Sequence, residues 1–160
     1  YLNQEIDIEK SKERGFKICL DTDNGAGGPI MKSILEQMGC EVIAINYETT
    51  GVFSHPPEPI PANLDQLGEA VVKHGADFGI ATDPDVDRCV FIDETGKPFG
   101  EEYTLGMAVL FWLKFGEKRG PVCKNLSSSR LVDDIAEEFD CPVYATKVGE
   151  IHVFKVKISK

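Results

Sequence analysis

The sequence predicts an α/β fold with a parallel sheet and right-handed crossovers, followed by an incomplete second α/β unit. Three observations lead there. Short apolar runs alternate with amphipathic helical patterns: FKICL, EVIAI and DFGIA are separated by helix-like stretches around 29–38 and 63–74, which is the signature of strand–helix–strand units. Glycines and prolines stand at the joints, with Pro29 at a helix start and Gly39 and Gly75 at helix ends. After GEKRG at 116–120 the pattern restarts with PVCK, a helix and PVYA, and two strands with one crossover cannot bury their own faces.

In chain order, residues 1–13 are polar with a weak helical pattern (Leu2, Ile6) and read as the tail of an upstream domain or a linker. Strand FKICL opens the main unit. The turn DTDNGAGGPI follows, and the next helix is expected to bury Ile30, Ile34, Leu35 and Met38. NGAGG lacks the lysine and the spacing of a nucleotide-binding loop, so its glycines read as the needs of a tight turn. Strand EVIAI leads into a loop whose four prolines keep it extended, ending at Asn63 as the expected helix cap. Leu64, Leu67 and Val71 line one side of that helix. DFGIA then runs directly into DPDVDR, with strand CVFID and the polar turn ETGK behind it. Residues 101–115, EEYTLGMAVLFWLKF, are apolar nearly all round and read as a helix packed on both sides. The second unit runs from 121 on, with Leu131, Val132, Ile135 and Phe139 inward and a turn at Gly149.

Composition bounds the function. The 160 residues are 42% hydrophobic and 28% charged, and no apolar run is long enough to span a bilayer. A formal net charge of −10 argues against nucleic acid. The five cysteines are odd in number and lack CxxC spacing, which fits free thiols in a reducing cytoplasm.

DPDVDR carries the chemistry. Asp83, Asp85 and Asp87 stand at i, i+2 and i+4, and two charges about 4 Å apart repel by roughly 4 kcal/mol at an effective dielectric near 20. A hard divalent cation relieves that repulsion, and Arg88 adds a planar fork suited to a phosphate. The loop leaves the C-terminal end of a parallel strand, where ligands gather in such sheets. The spacing also follows a calcium loop, with Glu94 at its twelfth position, but Arg88 stands where the sharp turn needs glycine. A second alternative is a phosphatase of the haloacid dehalogenase type with Asp83 as nucleophile, although Asp87 replaces the Thr or Val of that motif. A third is a non-catalytic divalent-metal-binding α/β module.

Several motifs in order resemble the α-D-phosphohexomutases, the phosphoglucomutase and phosphomannomutase family. DPDVDR matches the metal loop DGDxDR apart from Pro84; DTDNGAGG, GVFSHPPEPIPANL, FIDETGKPFGEE and TKVGEI match the family's DxxNGAG, GxFxxHxPxPxxxxL, DExGxxxxGD and TxxG segments. The resemblance implies a mixed, mostly parallel sheet with helices on both faces (the family's domain II) over 14–117, and the truncated beginning of domain III over 118–160. It implies Mg2+ on Asp83, Asp85 and Asp87, and Arg88 against the transferring phosphoryl group. Thr146, Gly149 and His152 are the candidate substrate contacts. The implied reaction interconverts hexose 1-phosphate and hexose 6-phosphate through a 1,6-bisphosphate, with a phosphoserine that this chain lacks. Domains I and IV and the rest of III are then missing partners, and the chain alone is expected to be inactive. Ser54-His55-Pro56 only superficially resembles the nucleophile segment, and Ser127, Ser128 and Ser129 read as a helix cap. His55, His74 and His152 show no metal-ligand spacing.

Overall fold

A computed structural model describes residues 8–116 and 120–159, which fall into two compact units, Tyr1–Glu101 and Glu102–Lys160. Leu2 and Ile6 of the expected tail, and the centre of the GEKRG linker, lie outside the described residues.

In the first unit a short helix α1 (Ile8–Arg14) precedes β1 (Lys17–Asp21), α2 (Gly28–Gln37), β2 (Glu41–Ile45), a 3-10 turn at Pro61–Asn63, α3 (Asp65–His74), β3 (Phe78–Thr82) and β4 (Cys89–Ile92). The sheet order is β2-β1-β3-β4. β1 pairs in parallel with β2 and β3, and β4 closes the edge antiparallel to β3, so the sheet is mixed and mostly parallel. Helices cover both faces, and the period-2 alternation of the strands sorts the residues between them. Cys19, Ala81, Val90 and Ile92 pack with Leu64, Leu67 and Val71 of the α3 side. Ile18, Leu20 and Ile80 pack with Leu35 and Met31 of α2. The first crossover runs from β1 through α2 to β2, and the second returns from β2 through α3, past β1, to β3. Two crossovers of the same right hand that run in opposite directions across the sheet place their helices on opposite faces.

Local chemistry explains the element ends. Pro29 sits in the first turn of α2, and Gly39 beyond it has φ 83°. Gly75 ends α3 in the left-handed conformation and returns its N–H to the Val71 and Val72 carbonyls. Two expectations are corrected here. Asn63 does not cap α3: it lies in the 3-10 turn and its side chain donates to the Glu58 carbonyl, while Leu64 takes the cap position. Ile30 is 62% exposed, because the α2 stripe facing the sheet runs through Met31 and Leu35 instead.

The second unit holds α4 (Glu101–Phe115) from Glu102 on, its first residue Glu101 belonging to the first unit. β5 (Val122–Asn125), α5 (Leu131–Glu138), β6 (Val143–Thr146) and α6 (Glu150–Ser159) follow, and β5 and β6 are paired in parallel. α4 is not packed on both sides: only Gly106 and Leu113 are buried, and Phe111, Trp112 and Phe115 are exposed. Within this unit α5 covers one stripe only, with Leu131 seated where a side chain on Gly106 would stand. Ser129 accepts from the Leu131 N–H at the start of α5, whereas Ser127 and Ser128 bond Asn125 in the preceding turn.

Candidate metal centre

Two loops meet at the C-terminal ends of β1 and β3. β1 connects to β2 on one side and β3 lies on its other side, so the strand order reverses between β1 and β3 and opens the crevice where such sheets bind ligands. DPDVDR leaves β3 there, and the glycine turn leaves β1.

Within DPDVDR, Asp83 is buried and Asp85 and Asp87 are exposed. One oxygen from each of the three carboxylates lies within 4.8 Å of the others. Asp83 Oδ1 accepts the Arg88 N–H at 3.0 Å and the Asp83 carbonyl accepts from Val86 N at 3.2 Å, which folds the loop back on itself. Val86, between the two exposed carboxylates, has φ 64°, a left-handed conformation that a β-branched residue rarely adopts. A hydrogen bond with the Asp83 carboxyl, reinforced by the charges of Asp83 and Asp85, pushes the Asp87 carboxyl above its ordinary value. The carboxylates thus crowd negative charge that a cation would neutralise, and their oxygens are the ligands hard divalent ions take. The residues fit a divalent metal ion without selecting which one.

Arg88 stands half-exposed beside them. Its Nε lies 4.0 Å from Asp83, 3.9 Å from Asp87 and 3.8 Å from Glu101, so acidic neighbours orient the guanidinium while leaving donors open to an anion.

The glycine turn proves to be the seat of this loop. Ala26 N donates to the Pro84 carbonyl at 2.9 Å. A Cβ on Gly25 would overlap Pro84, one on Gly27 would overlap the Val86 side chain, and one on Gly28 would overlap the Tyr47 carbonyl. The glycines therefore serve close approach of three chain segments, and the sequence reading of a self-contained tight turn missed that contact.

The Ser54-His55 pair also has a place that sequence reasoning missed. Asp23 is fully buried and accepts from Ser54 N, Ser54 Oγ and His55 N. This joins the proline-rich loop to the tip of β1. The available signal was position: Asp21 and Asp23 end a parallel strand as Asp83 does.

Thr146, Gly149 and His152 gather in the second unit, at the C-terminal end of β6 and the first turn of α6. Gly149 has φ 120° and its carbonyl accepts the His152 N–H at 3.0 Å, while Thr146 Oγ1 donates to the Lys147 carbonyl.

A mixed α/β sheet with three convergent carboxylates at its switch point defines a domain of phosphohexomutase type. The family model described as phosphoglucomutase/phosphomannomutase, alpha/beta/alpha domain II, matches residues 1–96, and the chain belongs to that family. A phosphoglucomutase/phosphomannomutase of Thermococcus kodakarensis is 36% identical over 153 residues, covering 95% of this chain and 33% of its own length. A protein of Methanopyrus kandleri named "Probable phosphoglucosamine mutase" is 39% identical over 142 residues, covering 87% of this chain and 31% of its own. The chain thus spans about a third of the length of these relatives. The crystal structure of a phosphoglucomutase/phosphomannomutase family protein from Burkholderia thailandensis superposes with a TM-score of 0.79 at 22% identity, over 98% of this chain and 35% of that one, a likeness of fold alone.

Proposed function

We propose that Asp83, Asp85 and Asp87 hold a Mg2+ ion and that this chain supplies the metal-binding part of a phosphohexomutase. The reaction is the interconversion of hexose 1-phosphate and hexose 6-phosphate through a 1,6-bisphosphate, with the phosphoryl group carried by a serine outside these residues. The observation that carries the reading is the set of three carboxylate oxygens within 4.8 Å of one another, beside Arg88 and at the C-terminal end of β3. The names of relatives 36% and 39% identical to this chain over the aligned residues support it.

The chain's own residues divide the work. Asp83, buried and held by the Arg88 N–H, anchors the loop, and the exposed Asp85 and Asp87 complete the oxygen set. Arg88, oriented by Asp83, Asp87 and Glu101, binds the phosphoryl oxygens through its free donors. The bound cation would supply neutralisation of charge on the phosphoryl oxygens. Residues from 118 onward open the third domain, and Thr146, Gly149 and His152 face the sugar phosphate from it; the end of the family match at residue 96 is consistent with a separate unit. Five free cysteines support a cytoplasmic setting.

Calorimetric titration of Mg2+ tests the reading. Asp85→Asn is expected to abolish saturable binding and, in the whole gene product, to abolish exchange between hexose 1-phosphate and 6-phosphate. Binding and exchange that survive in Asp85→Asn would refute it.

A further inference from the structure

The tip of β1 buries two carboxylates that the acidic loop does not use. Asp21 is 1% exposed and Asp23 is fully buried, and a buried carboxylate without compensation costs several kcal/mol. Asp21 Oδ1 accepts from Asp23 N at 2.9 Å and its Oδ2 from Asn46 Nδ2 at 3.0 Å. Asp23 places its three bonds on Oδ1, and among the described residues its buried Oδ2 has no partner. His55 Nε2, likewise buried and unpartnered by hydrogen-bond geometry, stands 3.4 Å from Asp21 Oδ2 and 3.8 Å from Asp23 Oδ1.

The other ring nitrogen settles where the proton sits. His55 Nδ1 lies 2.9 Å from the Pro56 carbonyl oxygen, which can only accept, so Nδ1 carries a hydrogen. A neutral ring would then turn a bare lone pair at Nε2 toward two carboxylates. No donor would exist among the three groups, although Nε2 and both carboxylates are buried. One further proton is required between them, on Nε2 or on a carboxyl. Burial pushes the Asp21 carboxyl up, so that side of the pair also has affinity for it.

We propose that His55 is a positioning residue for the acidic loop: one proton held between its Nε2 and the Asp21–Asp23 carboxylates fastens the proline-rich loop to the tip of β1, and so fixes the turn on which DPDVDR rests. The connection outward is short. Asp23 begins the glycine turn, Gly25 and Gly27 pack under Pro84 and Val86, and Ala26 N holds the Pro84 carbonyl. A loosened tip lets Pro84 and Val86 shift, and with them the spacing of Asp83, Asp85 and Asp87.

The effect on metal binding rests on the Mg2+ reading above, whereas the proton does not, so the test has two arms. In the first, ring-nitrogen NMR at neutral pH is read on the signal that vanishes in His55→Gln. Nδ1 is expected to be protonated, with Nε2 either protonated or bonded to a protonated carboxyl, and Asp21→Asn is expected to move the Nε2 resonance. A neutral ring protonated on Nε2 alone overturns the proposal. In the second arm, His55→Gln is expected to weaken Mg2+ binding about fivefold, less than the roughly 10–100-fold typical of groups that touch a ligand directly. Unchanged affinity in a folded His55→Gln overturns the positioning role. Should His55→Gln fail to fold, Asp21→Asn, nearly the same shape, takes its place in the same titration with the same expected direction. Absence of Mg2+ binding in the unsubstituted protein sinks the metal reading, and the ring spectrum still decides the proton.

Discussion

Val86 holds φ 64° at a cost of about 1–2 kcal/mol for a residue with a Cβ, and more crowding because it is β-branched. Strain of this kind persists where surrounding contacts over-determine it, and here they are visible: the Asp83 carbonyl takes the Val86 N–H, and Gly27 leaves room for a Val86 methyl. The result is that Asp85 and Asp87, on either side, turn toward Asp83. At Gly25 the margin is smaller still, since an added methyl meets the Pro84 backbone, which cannot rotate away as a side chain would. Gly25→Ala is therefore expected to displace Pro84 and weaken Mg2+ binding about tenfold, measured by calorimetry; affinity equal to the unsubstituted protein would show that the loop keeps its shape without that seat. The three aspartates were legible in the sequence because their spacing is local. The role of the glycines was not, because the atoms they make room for, on Pro84, Val86 and Tyr47, lie 19 to 59 residues away in the chain. His55 was set aside for the same reason: its partners Asp21 and Asp23 adjoin it only once β1 and the proline-rich loop are folded.

At the scale of elements, the strands and helices of the first unit follow from periodicity and from their glycine and proline punctuation, and their positions were legible to within a residue or so. What the sequence could not say is which neighbour covers each face. Ile30 looks as apolar as Met31, and only the angle of α2 on the sheet decides between them. α4 shows the limit more plainly, since its all-round apolar pattern describes what the helix can cover and names no partner. The turn after β4 is a case where local chemistry suffices. Asp93 Oδ1 accepts from Thr95 Oγ1 at 2.7 Å and from Thr95 N and Lys97 N at 2.9 Å each, and the Gly96 carbonyl packs against Gly68 of α3 with no space for a methyl. The hydrogen bond from Thr95, followed by that from the Lys97 backbone, lowers the Asp93 carboxyl below its ordinary 3.8. A depressed carboxyl contributes stability above its unfolded value and loses it as pH falls through the folded one. The stability difference between the protein and Asp93→Asn is thus expected to be constant from neutral pH to about pH 5 and to shrink below about pH 4. Chemical denaturation at several pH values reads it, and a difference that grows on acidification would contradict the assignment.

For the whole molecule, the formal charge of −10 complicates any claim about a cation. A chain so acidic collects divalent ions in its surrounding atmosphere without a site, so stabilisation by Mg2+ alone proves little. A saturable site behaves differently from an atmosphere in two respects. It stabilises by mass action, about 2.7 kcal/mol at a hundred times the dissociation constant, and it depends on one loop. With about 4–8 °C per kcal/mol for a unit of about 100 residues, the unfolding transition of the unit carrying Asp83, Asp85 and Asp87 is expected to rise by about 10–20 °C. Sodium chloride at matched ionic strength screens the same repulsion without filling the site, so it is expected to give a smaller shift that Asp85→Asn retains. The Mg2+-specific part is expected to vanish in Asp85→Asn. Scanning calorimetry of the four combinations separates the two contributions, and equal shifts from both salts in both proteins would mean that the three carboxylates act only as part of the general negative field.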